Sequence, residues 1–297
     1  MADRGAIATT DFQSLLGQLP DEDQLMPDRP LRLLIIGAHP DDADYHAGGL
    51  AALYRAAGHV VNMVSLTDGS AGHQTLRGGD LANRRKAEAA AAGAVIGAKY
   101  DVYDNPDGAL LPTLEIRGQV IRLLRSFRPD LLLTHRPNDY HPDHRYASML
   151  VQDAAYLVTV PAVEPGVPHL PRDPVIAYLP DHFQKPYPFQ PSVVVDVGPV
   201  FDQIVSMLHC HQSQFYEWLP YNQGRLNQVP QKDEDRRAWL ASAVHARLEH
   251  LANQYRDLVA AAYGPRCGNE VRIIEAFEAC EYGAPLDDAA RRLLFPF

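Results

Sequence analysis

The chain reads as an α/β protein built on a mostly parallel, doubly wound sheet, and two observations predict it. Apolar runs of strand length alternate with stretches of helix length, the pattern of repeated strand–helix–strand crossovers. The first run, residues 31–37, is apolar almost throughout rather than alternating, as a strand covered on both faces must be.

The elements follow in order. After strand 31–37 comes a helix over 47–57, which Gly58 ends. Strand 60–66 leads into a Gly-rich loop over 67–79, and an Ala-rich helix over 81–96 closes at Gly97. A short strand, 100–103, precedes the Asn105-Pro106-Asp107-Gly108 turn. Helix 114–127 is followed by a fourth strand at 131–134 and a helix opening near 147. If the strand order is 3-2-1-4, strands one and four flank the switch point where such sheets bind ligands.

Past residue 160 prolines thicken, and they predict an irregular C-terminal cap around two further strands, 175–179 and 193–197. Helices are expected over 200–219 and 233–262. No repeat or low-complexity linker divides the chain, so residues 31–297 are expected to form a single domain. Residues 1–30 read as an acidic extension, with a short helix near Phe12–Leu16.

Composition narrows the function classes. The 297 residues are 46% hydrophobic, enough for a sizeable core. Lys+Arg 27 against Asp+Glu 37 leaves a net charge of −10, which argues against a nucleic-acid footprint. Three cysteines without CxxC spacing suit reduced thiols in the cytoplasm better than a disulfide framework. With no leader-like or 18-residue apolar run, the expectation is a soluble protein without a membrane partner.

Two loops carry the chemistry. His39-Pro40-Asp41-Asp42 follows the first strand, and His141-Pro142-Asp143-His144 comes a few residues after the fourth. Imidazoles and carboxylates gathered at facing strand ends are costly without a ligand, and they are the donors of a catalytic divalent metal. His39 and Asp42, at i and i+3, can turn to one point while Asp41 projects elsewhere. His141 and His144 repeat that spacing, so one of them binds the ion and the other faces the substrate. Asp41 then fits a general base, and His141 a proton donor or oxyanion stabiliser.

These blocks resemble the PIG-L (LmbE-like) family of metal-dependent N-acetyl-glycan deacetylases. Ala38-His39-Pro40-Asp41-Asp42 matches its AHPDD signature and His141-Pro142-Asp143-His144 its HPDH. Thr67-Asp68-Gly69, Arg85-x-x-Glu88, Asp107-Gly108, His211-x-Ser213-Gln214 and Glu275-Ala276-Phe277 fall in the family's order. The resemblance implies a Rossmann-like sheet, zinc (or iron or another divalent ion) held by His39, Asp42 and His144, and Asp41 as base. It further implies His141 at the tetrahedral intermediate, oriented by Asp143, a sugar-like N-acetylated substrate, and a homo-oligomer. One branch of the family hydrates a carbon–carbon double bond instead, which supplies the competing reading. A nucleotide-binding protein is disfavoured because the loop after strand one is acidic and lacks G-x-G-x-x-G.

Other residues have two readings each. Asp107 can bind substrate hydroxyls or merely make a turn. Arg85 can clamp the substrate, although pairing with Glu88 on its own helix is the simpler expectation. His73 is a candidate lid residue, expected to face solvent. Ser70 stands where many family members carry a substrate-touching carboxylate, and Tyr140 adjoins His141. His209-Cys210-His211 suggests a second metal site, but neighbours on a helix diverge by about 100° and His211 falls on the apolar stripe. Phe215-Tyr216-Glu217-Trp218 reads first as packing.

Overall fold

The computed structural model describes residues 29–297. The helix expected near residue 12 lies outside them. Seven strands form one sheet in the order β3-β2-β1-β4-β5-β7-β6. They are β1 Arg32–Gly37, β2 Val60–Thr67, β3 Lys99–Asn105, β4 Leu131–Thr134, β5 Val175–Tyr178, β6 Val193–Asp196 and β7 Ile274–Ala279. Neighbours from β3 through β5 pair in parallel, whereas β7 runs antiparallel to both β5 and β6. The expected 3-2-1-4 order is present, and the sheet is the Rossmann-like type.

Successive side chains of β1 alternate between two cores. Leu33 and Ile35 pack on one face with helix α1 (Asp42–Ala56), and Leu34 and Ile36 on the other with α3 (Leu114–Phe127) and α4 (Pro142–Leu157). Helix α2 (Gly78–Val95) lies on the α1 side. This two-sided burial is why β1 carries no polar alternation.

Three expectations needed correction. The first helix begins at Asp42, not at residue 47, and breaks at Ala47, where φ is −141° and ψ is 22°. The break frees the N–H groups of Gly49 and Leu50, which donate to the buried carboxylate of Glu275 at 2.7 and 2.8 Å. A carboxylate from β7 thus starts the second half of α1 as a remote cap. Next, the helix expected over 200–219 is α5 (Phe201–Cys210), a break at His211, a π-helical stretch Ser213–Trp218, and α6 (Leu219–Asn222). Finally, the helix expected over 233–262 divides at Tyr255 into α7 (Asp233–Gln254) and α8 (Arg256–Cys267), while α9 (Asp288–Leu294) was not foreseen. Strand β7 was not foreseen either. The Pro-rich region does more than cap, because β5 and β6 extend the main sheet.

Removing the Glu275 carboxylate strands two buried donors, each worth about 1–3 kcal/mol. Glu275→Ala is therefore expected to lower unfolding free energy by about 3 kcal/mol or more, with Glu275→Gln less damaging, measured by urea denaturation.

Candidate metal centre

The register pairs Ile36 of β1 with Thr134 of β4, so the two chains leave the sheet side by side. Gly37 makes the next step possible. A Cβ there would lie 2.5 Å from the Cβ of Asp42, so only glycine lets α1 start this close to the strand. The Asp42 carboxylate accepts from the N–H of Ala38 at 2.9 Å and of His39 at 2.7 Å, which closes the loop. Across the cleft, His141 caps α4, its Nδ1 accepting from the N–H of Asp143 at 3.1 Å.

These two loops bring the three predicted donors together. His39 Nδ1 lies 3.2 Å from His144 Nε2 and 3.5 Å from an Asp42 oxygen, and His144 Nε2 lies 3.5 Å from the other Asp42 oxygen. Donor atoms about 2.0–2.2 Å from a tetrahedral ion stand roughly 3.3–3.6 Å apart, so this set fits a zinc-sized cation. Each imidazole turns its remaining nitrogen to carboxylates. His39 Nε2 is 3.2 Å from Asp107 and 3.4 Å from Asp143, and His144 Nδ1 is 3.1 Å from Asp139. Carboxylate-backed imidazoles of this kind are the usual support of metal-binding histidines. Burial opposes an imidazolium at His39, yet Asp107, Asp143 and Asp42 hold it well above the ordinary histidine range. The pocket favours positive charge at that spot.

His135 was missed by sequence reasoning. It directly follows β4, stacks on His144 with ring centroids 4.0 Å apart, and reaches the Asp42 carboxylate at 3.1 Å. With Asp42 and His144 it makes an alternative cluster of three donors, as does His39 with His141 and His144. Its place one residue beyond a buried strand was the available signal.

Asp41 lies in the cavity beside the donors, its Oδ1 accepting from Arg85 at 3.0 Å. Burial pushes its carboxyl up to about 6, against the opposing pull of Arg85. The pairing expected of Arg85 with Glu88 is corrected here. Arg84 is the residue that bonds Glu88, at 3.0 Å, whereas Arg85 faces Asp41, the Pro40 carbonyl and Gly69.

The remaining candidates divide. Asp107 lines the cavity, but one oxygen accepts from the N–H groups of Ala71 and Gly72 and the other approaches His39. Asp143 does not orient His141 through its carboxylate, which instead accepts from the N–H groups of Gly108 and Leu110. Tyr140 lines the mouth and is 70% exposed. Ser70 is absent from the lining, and its N–H donates to Asp68. His73 does not face solvent as expected: its side chain is 2% exposed and bonds Glu217 at 2.8 Å.

His211 is fully buried and bonds Asp44 at 2.8 Å, while His209 bonds the Tyr216 hydroxyl. The two do not form a metal cluster among the described residues. Phe215 and Trp218, read first as packing, line the cavity, and so do His46, Asp181, His182 and Phe183 from stretches not singled out.

A family model described as PIG-L, GlcNAc-PI de-N-acetylase, matches residues 34–155, the span holding both loops. A diacetylchitobiose deacetylase of Thermococcus kodakarensis is 31% identical, over 64% of this chain and 74% of its own. The chain belongs to the PIG-L family. Its relatives include a 4-oxalmesaconate hydratase of Pseudomonas putida, 26% identical over 63% of this chain and 76% of the hydratase. In fold, this PIG-L chain is similar to an N,N'-diacetylchitobiose deacetylase from Pyrococcus horikoshii, with a TM-score of 0.65, 21% identity and 84% of each chain covered.

If His39, Asp42 and His144 hold the ion, His39→Ala and Asp42→Ala should lose stoichiometric zinc after loading and desalting, measured by elemental analysis. Arg85→Ala should retain it. Full zinc in both ligand variants would reject the donor set.

Proposed function

We propose that this protein is a metal-dependent N-deacetylase acting on an N-acetylated, amino-sugar-like small molecule. The observation that carries the reading is Asp41, half-buried beside three converged donors and not itself among them. PIG-L membership and deacetylase relatives support the same reaction.

A divalent ion, zinc foremost, would be held by His39, Asp42 and His144 and would supply Lewis acidity for activating water and polarising a carbonyl. Asp41 is the general base in this reading: a carboxylate, fixed by Arg85, that takes a proton from the attacking water. His141 has Nδ1 engaged by a backbone N–H, so its neutral ring carries the proton on Nε2. Burial holds His141 below the ordinary histidine range and keeps it neutral. A neutral Nε2–H suits an oxyanion-stabilising hydrogen bond better than outright proton donation. Asp107, Asp139 and Asp143 keep the two imidazole ligands aimed.

The hydratase reading keeps a place because a hydratase is among the relatives. Release of acetate with appearance of a new amine separates the two reactions. We further read the protein as cytoplasmic and homo-oligomeric, with residues 31–297 as one domain. No helix among the described residues is long and apolar enough to cross a membrane.

Zinc-loaded protein should release acetate from at least one member of a panel of N-acetylglucosamine glycosides. Asp41→Asn should keep its zinc and lose about 100-fold or more in kcat. His141→Ala should lower kcat by about 10²–10³ with zinc content unchanged. Near-normal turnover in Asp41→Asn would remove the base assignment.

A further inference from the structure

The cavity above the donors, about 350 Å³, has a distinctive charge pattern. Its lining includes five aspartates, Asp41, Asp42, Asp107, Asp139 and Asp181, yet Arg85 is the sole lysine or arginine among the described lining residues. Arg85 is committed. Its side chain is 3% exposed, and its two terminal nitrogens go to Asp41 and to the carbonyls of Pro40 and Gly69, while its buried Nε has no hydrogen-bond partner. The next arginine behind the wall is committed as well. Arg136 is fully buried, meets both Asp181 oxygens at 3.0 and 3.1 Å, and donates to the Tyr187 carbonyl. Neither guanidinium can turn to a substrate without abandoning a buried carboxylate, a costly exchange.

Apolar surface fills the rest. Tyr45, Tyr140, Phe183, Phe215 and Trp218 line the same cavity, and flat rings suit the face of a sugar or of an apolar group. A cationic group would also be welcome over such rings, whereas an anion held away from the ion would find no free lysine or arginine among the described lining residues.

We propose that the cavity selects N-acyl amines that are uncharged or cationic outside the amide and present a flat sugar or apolar face. It rejects those carrying a carboxylate or phosphate there. The amide part rests on the deacetylase reading; the charge part rests on the walls alone. It also sets this chain against carboxylated substrates of the kind that the hydratase relative's name describes.

The test uses the full zinc-loaded chain and a pair that cannot turn over, glucosamine and glucosamine 6-phosphate, with dissociation constants from calorimetry. The phosphorylated sugar should bind at least tenfold more weakly, and Gln223→Lys, at the exposed rim, should narrow that ratio severalfold. Equal or tighter binding of the phosphate, or no binding of either sugar, overturns the proposal. Acetate release from N-acetylglucosamine and its 6-phosphate is measured in parallel. Charge ranking without any acetate release would sink the deacetylase reading and leave the selectivity standing.

Discussion

Everything at the site depends on how closely helix α1 approaches the end of β1. The absent side chain at Gly37 lets Asp42 fold back under the strand end, and the Asp42 carboxylate ties down two N–H groups of the connecting loop. One carboxylate therefore works as a loop clasp and stands ready as a donor. Burial alone would push its proton on, but His144 and His135 outweigh that and hold Asp42 well below the usual carboxylate range. An anion fixed this firmly is a suitable anchor for a divalent ion, and the parallel register with β4 brings the opposing imidazoles to it.

Much of this was legible in the sequence. The apolar run of β1 and the strand–helix alternation indicated the sheet order around the switch point. Two four-residue motifs at strand ends then located the donors, because topology alone carries them to one place. What escaped reading depends on long-range contacts. Strand β7 has the sequence of an acidic turn or helix, Ile-Glu-Ala-Phe-Glu-Ala, yet it pairs between β5 and β6, where Glu275 accepts from two buried backbone N–H groups and Glu278 from the N–H of Gln190. His135 lacked a motif around it. Arg84 and Arg85 both sit within reach of Glu88 in sequence, and only the packing of α2 decides that Arg84 takes it while Arg85 turns inward.

Family membership does not by itself separate amide hydrolysis from hydration, since a deacetylase and a hydratase are both among the relatives. Discrimination has to come from the walls, which in this chain are acidic and aromatic with their guanidinium groups already spent on internal carboxylates. In the proposed reading, substrate choice and metal chemistry fall to different parts of the molecule, the loops after β1 and β4 for the latter and the segments around Phe183 and Trp218, which line the cavity, for the former.

The break in α1 at Ala47 has a consequence for assembly. The half of that helix beyond the break begins on a carboxylate supplied more than two hundred residues later in the chain. A nascent polypeptide emerging from the ribosome carries the HPDD loop early, but the helix behind it stays without its remote cap until Glu275 has been made. Completion of this helix in this sense comes late, and shortened products ending before β7 would carry the signature motifs without the Glu275 cap behind them.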